Sequence, residues 1–133
     1  MAQQKKLSGI NIQFPISQLI VEGRKVVETR TYPIPAKYIN QEMVLVETPG
    51  KKGKFKARMI AIVKFGESFR YENRKQFYAD SGRHCVTPES VWAWTDSKGK
   101  WGWPVTVVKV FKTPISPKKR TGIQYTTGLR IPG

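Results

Sequence analysis

The segment 22–30 constrains the fold of this chain most, because it places three cations and two carboxylates directly after a short apolar helix pattern. Gly23 predicts the end of that helix, since glycine reaches left-handed backbone angles without steric cost. The residues that follow alternate and predict a strand from about Val26 to Thr31. Glu28 and Arg30 fall on one face of this strand. They can pair with each other, or both can face a ligand.

The spacing Gly23-x-Lys25-x-x-Glu28-x-Arg30 resembles the signature of the ASCH family, small domains with a fold like the PUA RNA-binding domain. Three further features look like the family pattern: Gln13-Phe14-Pro15 before the helix, Val91-Trp92-Ala93-Trp94, and a final glycine-rich strand. The resemblance covers roughly residues 7 to 131. It implies a PUA-like small β-barrel in which the motif lines a cleft.

The length of 133 residues, 39% of them hydrophobic, suits one domain with one core. We expect residues 1–8 to form a flexible basic N-terminus and residues 9–133 a single ASCH-like domain. The apolar runs are shorter than the roughly 20 residues needed to cross a bilayer, and the N-terminus lacks the apolar segment of a signal peptide. A single cysteine, Cys85, indicates a reducing, cytoplasmic setting. One Cys and one His are too few to ligate zinc, so we expect neither metal nor cofactor.

Charge is the most informative part of the composition, since 24 lysines and arginines against 9 acidic residues give a formal net charge of +15. Such a charge repels itself in the folded state, which favours a polyanionic partner. Nucleic acid is the first candidate, because neutralising phosphates releases counterions, and RNA is favoured over DNA. The alternatives are an acidic protein partner, another anion or a membrane surface, or a basic surface that serves solubility alone. We expect no membrane partner, and a monomer is favoured.

The remaining pattern alternates short apolar runs with loops, which predicts a β-rich α+β fold, a small β-barrel with two or three short helices. Predicted strands lie at about 9–14, 26–31, 43–46, 54–65, 91–94, 105–111 and 128–131, and predicted helices at about 16–22 and 72–81, with one further turn at 36–40. Pro15 suits the first turn of the first helix, and Asn73 is a candidate cap for the second.

The motif side chains have a functional and a structural interpretation. In the first, Arg24, Lys25 and Arg30 contact a phosphate or a base edge, because arginine matches phosphate geometry with two hydrogen bonds and lysine acts as a point charge. Glu28 then orients these cations or accepts from a base amino group. In the second, Glu28 and Arg30 form an ion pair that joins the strand to the barrel. The ASCH resemblance favours the functional interpretation.

The segment 51–58 is a second candidate contact for nucleic acid. Its cations are Lys51, Lys52, Lys54, Lys56 and Arg58. Their period of two within a predicted strand would follow a phosphate backbone, and the same lysines would also protect an edge strand from aggregation. A basic triplet at Lys118–Arg120 could add a further contact, or it could be a solvated loop.

Aromatic side chains are frequent near the motif and in the segment 91–103. Phe14, Trp92 and Trp94 are candidates for stacking an unpaired or flipped base. The alternative is core packing, since small barrels need large side chains inside. Trp92 and Trp94 share a face of their predicted strand.

An enzymatic function remains a second hypothesis. Some ASCH-like proteins are amidohydrolases of N4-acetylcytidine, in which the motif lysine acts with a threonine three positions later. Lys25 matches that lysine, but Glu28 stands at the threonine position, and Thr29 falls on the opposite face of the predicted strand. Some family members are reported as ribonucleases, for which Lys25 and Glu28 would be the acid–base pair. His84 and Cys85 are neighbours in sequence, and we expect a structural role for both.

Overall fold

The computed structural model describes residues 4–116 and 125–132. Its elements, in chain order, are β1 (Gln4–Gln13), α1 (Ile16–Val21), β2 (Val27–Arg30), a 3₁₀ turn (Ala36–Tyr38), β3 (Glu42–Thr48), β4 (Arg58–Phe65), β5 (Phe69–Arg70), α2 (Arg74–Ala79), α3 (Ser81–His84), β6 (Trp101–Ile115) and β7 (Tyr125–Pro132). No helix in this described part of the chain is both long and apolar enough to span a membrane.

The strands form one mixed sheet that curls into a half-barrel, in the order β2-β6-β4-β3-β1-β7, with β5 paired to the start of β6. β1 and β3 run parallel, and the other pairs are antiparallel. β2 is the terminal strand at one end of this order, and within residues 4–116 and 125–132 it pairs only with residues 101–104 of β6. The strand that carries the motif is therefore an edge strand.

The main core lies between the curled sheet and α1. It includes Ile10, Ile20, Met43, Phe65 and Trp103, and burying side chains of this size contributes about 1.5–3 kcal/mol each. A second cluster beneath β3 and β4 contains Val44, Val46, Met59 and Ile62. A third cluster packs α2 and α3 against Tyr71, Val86 and Trp94. These clusters hold the elements that surround the motif.

Three segments differ from the predictions for physical reasons. β1 begins at Gln4 and not at Gly9, because residues 4–7 pair with β7. β4 begins at Arg58, not Lys54, because a turn closed by Gly53 N–H to the carbonyl of Pro49 (2.8 Å) leads the chain away from the sheet.

The segment 91–94 contains no strand, because its backbone follows turns that Ser90 stabilises by accepting from Trp92 N–H (3.0 Å). Trp92 and Trp94 therefore do not share a strand face. The predicted helix at 72–81 is divided into α2 and α3. The predicted contact at Lys118–Arg120 lies outside the described residues.

Candidate nucleic-acid interface

The end of α1 sets the position of the motif. Gly23 has a φ of +79°, as the sequence predicts for the residue that ends this helix. The backbone N–H groups of Arg24 and Lys25 both donate to the carbonyl of Leu19, at 2.9 and 3.0 Å. These bonds turn the chain so that it enters β2 with Lys25 facing the protein and Arg24 facing solvent.

The α2–α3 segment holds the motif from the other side. Val26 N–H donates to the carbonyl of Arg83 (2.9 Å), and Lys25 Nζ donates to the carbonyl of His84. The guanidinium of Arg83 makes two hydrogen bonds to Asp80, at 2.6 and 2.8 Å. This pair fixes α3, so the carbonyl groups at its end are held where the motif needs acceptors.

His84 has the structural role that the sequence predicts. It is fully buried, and its ring stacks on Phe77 with 4.1 Å between centroids. Nδ1 accepts from Val86 N–H (2.9 Å), while Nε2 lies 2.6 Å from the carbonyl of Phe77 and is therefore the protonated nitrogen. Burial lowers the pKa of His84, so the imidazole is neutral near pH 7. Cys85 takes a left-handed conformation (φ +61°), which turns the chain after α3.

Lys25, Glu28 and Arg30 converge at the start of β2. Glu28 Oε2 accepts from Arg30 Nη2 at 2.8 Å and from Nε at 3.1 Å, and Glu28 Oε1 lies 3.8 Å from Lys25 Nζ. Lys25 is only 3% exposed and Glu28 only 6%. Burial lowers the pKa of Lys25, and the attraction of the Glu28 carboxylate opposes that shift. The three charged groups of the motif therefore form one connected cluster.

A pocket of about 220 Å³ opens beside this cluster. Its walls come from the ends of β1 and β3, from α1, from β2 and from the segment that follows α3. The lining residues are Asn11, Ile12, Gln13, Ile16, Lys25, Glu28, Thr29, Arg30, Thr48, Val86 and Trp92. Trp92 is 42% exposed, so its ring is both part of the wall and open to solvent. The pocket thus combines buried charges with an accessible aromatic surface.

The other two stacking candidates lie elsewhere. Trp94 is 8% exposed and belongs to the third core cluster, where its indole Nε1 donates to Asp96 (2.7 Å). The half-buried Phe14 packs edge-on against Phe55, with 5.7 Å between ring centroids. Neither residue lines the pocket. Of the three aromatic candidates, the structure brings only Trp92 to the motif.

The basic loop, which we define as residues 49–57, lies next to the pocket. A side chain at Gly50 would collide with Gln13, which lines the pocket, and Thr48 immediately before the loop lines it too. Lys51, Lys52, Lys54 and Lys56 are exposed on this loop. None of these lysines lines the pocket itself, and they lie on a loop that adjoins it rather than on a periodic strand face.

Arg58, the last cation of the predicted segment, is engaged in the fold. Its Nε lies 2.9 Å from Glu47 Oε1, and its guanidinium lies 3.9 Å from the ring centroid of Phe55. Glu47 is fully buried and also accepts from Ser17 Oγ (2.6 Å) and Gln18. This ion pair fastens the end of the basic loop to α1 and β3.

The sequence does not indicate several residues of the site. Asn11, Gln13 and Thr48 reach the pocket through the parallel pairing of β1 with β3, which has no local signal. Thr29 lines the pocket beside Glu28 and Arg30, so three consecutive residues of the edge strand β2 contribute to its wall. Lys100 is 7% exposed. Burial lowers the pKa of Lys100, and the attraction of Glu28 opposes the shift.

The described residues contain no cluster of three or more His, Cys, Asp or Glu side chains that could hold a metal ion. The fold and the site together define a small mixed half-barrel with a charged pocket at its edge strand.

This architecture matches a solved structure described as the crystal structure of ASCH from Zymomonas mobilis. The TM-score is 0.66, the alignment covers 90% of this chain and 85% of that chain, and 16% of residues are identical. No protein-family model matches the sequence, and no curated protein matches it in a sequence comparison. The similarity is therefore one of fold, and it confirms the predicted β-rich α+β class with a fold like that of the ASCH structure.

Proposed function

We propose that this protein is an RNA-binding module. One nucleotide enters the pocket beside Lys25, Glu28 and Arg30, and the basic loop attracts the rest of the backbone independently of sequence. The observation that carries the proposal is the convergence of these three charged groups on one pocket that also exposes an aromatic ring. The formal net charge of +15 supports a polyanionic ligand.

Trp92 suits single-stranded nucleic acid. A base that stacks on an aromatic side chain gains about 1–3 kcal/mol, and every base offers such a face. The pocket of about 220 Å³ is smaller than the roughly 300–1,000 Å³ typical of sites for drug-sized ligands. It therefore fits part of one nucleotide better than a large cofactor.

The test is fluorescence anisotropy with a labelled single-stranded RNA across a salt series. Affinity should fall as salt rises, with a slope of about −0.7 per phosphate contact on single strands. Replacing Lys51 and Lys52 by Gln should reduce that slope by up to about 1.4 on the same basis. Affinity that does not change with salt would contradict the proposal.

A matched control replaces Lys37 and Lys64 by Gln. These exposed lysines lie outside the basic loop, on the 3₁₀ turn and near the end of β4, and neither lines the pocket. Their loss removes the same charge without changing the basic loop, so the slope should change less than in the loop variant. Equal changes in the two variants would indicate diffuse attraction to the whole surface and would argue against the basic loop as a contact.

Trp92 and Trp94 offer a second matched pair. Trp92→Leu should weaken RNA binding by about tenfold, as expected for the loss of one stacked base, and should leave the unfolding curve nearly unchanged. Trp94→Leu should lower stability, because Trp94 packs against Phe77 in the third cluster. A Trp92→Leu variant that binds RNA like wild type would exclude stacking at this position.

An enzyme acting on RNA or a nucleoside is the second candidate, and the burial of Lys25 is the observation that favours it. A lysine with a lowered pKa is a better base or nucleophile near pH 7, and Glu28 lies within reach of the same pocket. Thr29 also lines the pocket, so a hydroxyl is present although Glu28 occupies the threonine position implied by the amidohydrolase resemblance.

Incubation with N4-acetylcytidine and with labelled RNA separates the two candidates. Product that forms with wild type and is lost in Lys25→Met supports the enzyme, whereas binding without product supports the module. Copurification free of nucleic acid, together with no RNA affinity, would favour an acidic protein partner instead.

A further inference from the structure

The pocket offers hydrogen-bond donors more than acceptors. Glu28 is the one carboxylate among the described residues that line it. Its Oε2 already accepts from Nε and Nη2 of Arg30, and its Oε1 faces the ammonium of Lys25. The carboxylate is thus committed to the two cations. A ligand that enters this pocket meets the remaining N–H groups of those cations.

Arg30 is held by Glu28 and by the ring of Trp103, whose centroid lies 5.5 Å from the guanidinium carbon. Nε and Nη2 face Glu28, and Nη2 also donates to the carbonyl of Asn11 (3.2 Å). Within the described chain no hydrogen bond of Nη1 is found. Lys25 Nζ has three protons and donates one to the carbonyl of His84. Both cations are therefore oriented by protein acceptors and retain donors for a ligand.

The charges around Glu28 do not balance. Lys25 and Lys100 are buried, Arg30 is largely buried, and Glu28 is the carboxylate that attracts all three. With every group charged, these four residues carry a formal excess of two positive charges. A buried excess of charge is costly unless it is paired. A dianion would neutralise it.

We propose that the pocket binds the terminal phosphate of an RNA chain, a phosphomonoester, with Lys25 Nζ and Arg30 Nη1 as donors and Trp92 stacked on the adjoining base. This inference rests on the proposed RNA-binding function and names the group that enters the site. A phosphomonoester carries up to two charges and has one ester link. An internal phosphodiester carries one charge, and the RNA chain continues on both sides of it. It therefore reaches the buried ammonium of Lys25 less easily than a phosphate at the end of a chain does.

The experiment compares three RNA oligomers of one sequence at constant ionic strength: one with a 5′-phosphate, one with a 3′-phosphate and one with hydroxyl groups at both ends. Either the 5′-phosphorylated or the 3′-phosphorylated oligomer should bind about tenfold more tightly than the oligomer with hydroxyl groups at both ends, as expected for charge-assisted hydrogen bonds. Inorganic phosphate should compete with that oligomer and reduce the difference. The comparison uses wild-type protein, so it does not depend on the folding of any variant.

Three variants test the donors. Lys25→Met and Arg30→Gln should abolish the preference for the phosphorylated end, so that each variant binds the three oligomers with equal affinity. Glu28→Gln should keep or increase the preference, because it removes a negative charge and retains an oxygen that accepts from Arg30. A Glu28→Gln variant that loses all discrimination would overturn the inference, since the carboxylate would then be the ligand-binding group.

The other outcomes separate this inference from the proposed function. Equal affinity for all three oligomers, with binding still weakened by Lys25→Met, would overturn the end-recognition inference and leave the RNA-binding module intact. Absence of binding to every oligomer would overturn both.

Discussion

Glu47 and Glu28 are both buried glutamates, yet their surroundings differ. Glu47 is fully buried where β3, α1 and β4 meet, and it accepts hydrogen bonds from Ser17, Gln18 and Arg58. Burial alone would raise the pKa of Glu47, but these donors outweigh it, so the pKa lies below its ordinary range. One cation and two neutral donors satisfy one carboxylate.

Glu28 has the opposite balance. Arg30 and Lys25 flank its two oxygens, and it also attracts the buried Lys100. The neighbouring pocket adds an accessible aromatic ring, whereas Glu47 connects only elements of the fold. A carboxylate such as Glu47, whose charge is paired and whose oxygens accept hydrogen bonds from the protein, does not require a ligand. We interpret it as a structural junction. A carboxylate outnumbered by buried cations leaves those cations free to bind an anion.

The largest predicted effect distinguishes the two carboxylates by stability. Glu47→Gln should lower the free energy of unfolding by about 3 kcal/mol, because it removes the charge that pairs with Arg58 and turns an amide group toward donors. The matched variant Glu28→Gln should cost only about 1 kcal/mol, since it keeps one acceptor for Arg30 and the buried Lys25, whose pKa burial already lowers, can lose its proton once the carboxylate is removed. Urea titrations of both variants measure the difference. Equal losses would show that Glu28 is as structural as Glu47.

Lys25→Met should separate binding from stability. Lys25→Met removes a buried ammonium whose desolvation offsets its attraction to Glu28, and Glu28 keeps its ion pair with Arg30, so the variant should unfold at about the same urea concentration as wild type. RNA affinity should fall by about tenfold or more, the effect of losing a charge-assisted hydrogen bond. A strongly destabilised Lys25→Met variant would mean that the ammonium mainly supports the fold.

The charges of Glu47 and Lys25 should both make stability rise with pH, but for different reasons. Hydrogen bonds favour the charged form of Glu47, whereas burial disfavours the charged form of Lys25. The folded-state pKa of Glu47 is below its ordinary value of 4.5, so its contribution is present above pH 4.5 and is lost as the pH falls through the folded pKa. The folded-state pKa of Lys25 is below 10.5. Between that pKa and 10.5 the unfolded chain binds more protons, so stability rises with pH.

Urea titrations from acid to alkaline pH measure the predicted rise of stability with pH in each range. Each group contributes a slope of at most about 1.4 kcal/mol per pH unit within its window. Glu47→Gln should flatten the acid limb and Lys25→Met the alkaline limb. His84 and Lys100 also have lowered pKa values, and because the charge of Lys25 contributes to both shifts, part of the change in Lys25→Met should arise through these two groups. An alkaline limb that is unchanged in Lys25→Met would contradict the assignment to Lys25.

The sequence predicts those features that depend on neighbouring residues. Gly23 ends α1, and Asn73 caps α2 by accepting from Gln76 N–H (2.8 Å). The pairing of Glu28 with Arg30 follows from their i, i+2 spacing on one strand. Local conformation and short-range charge pairing are encoded within a few residues, so a pattern of residue types reveals them.

Local sequence patterns do not predict features that depend on contacts between residues far apart in the sequence. Glu47 finds its donors on α1 and β4, and nothing near it in the sequence indicates a buried junction. The predicted strand at 54–57 is replaced by the loop that follows the Gly53 turn, and Phe55 on this loop packs against Phe14. Trp94 turns into the third cluster against Phe77. Tertiary packing decides these positions, and it also decides that the pocket has walls from β1 and β3.

The smallest predicted effect sharpens the comparison through the arginine partner of each carboxylate. Lysine keeps the charge but loses the planar fork, so Arg30→Lys should lower RNA affinity by about threefold to fivefold with little change in stability. Arg58→Lys should leave RNA affinity unchanged and lower stability by about 0.5–1 kcal/mol, because its side chain is 34% exposed and its hydrogen bond to Glu47 is partly solvated. Anisotropy and urea titration on the two variants test the pair. If Arg58→Lys weakens RNA binding as much as Arg30→Lys does, the junction at Glu47 belongs to the interface, and the division between a structural and a binding carboxylate does not hold.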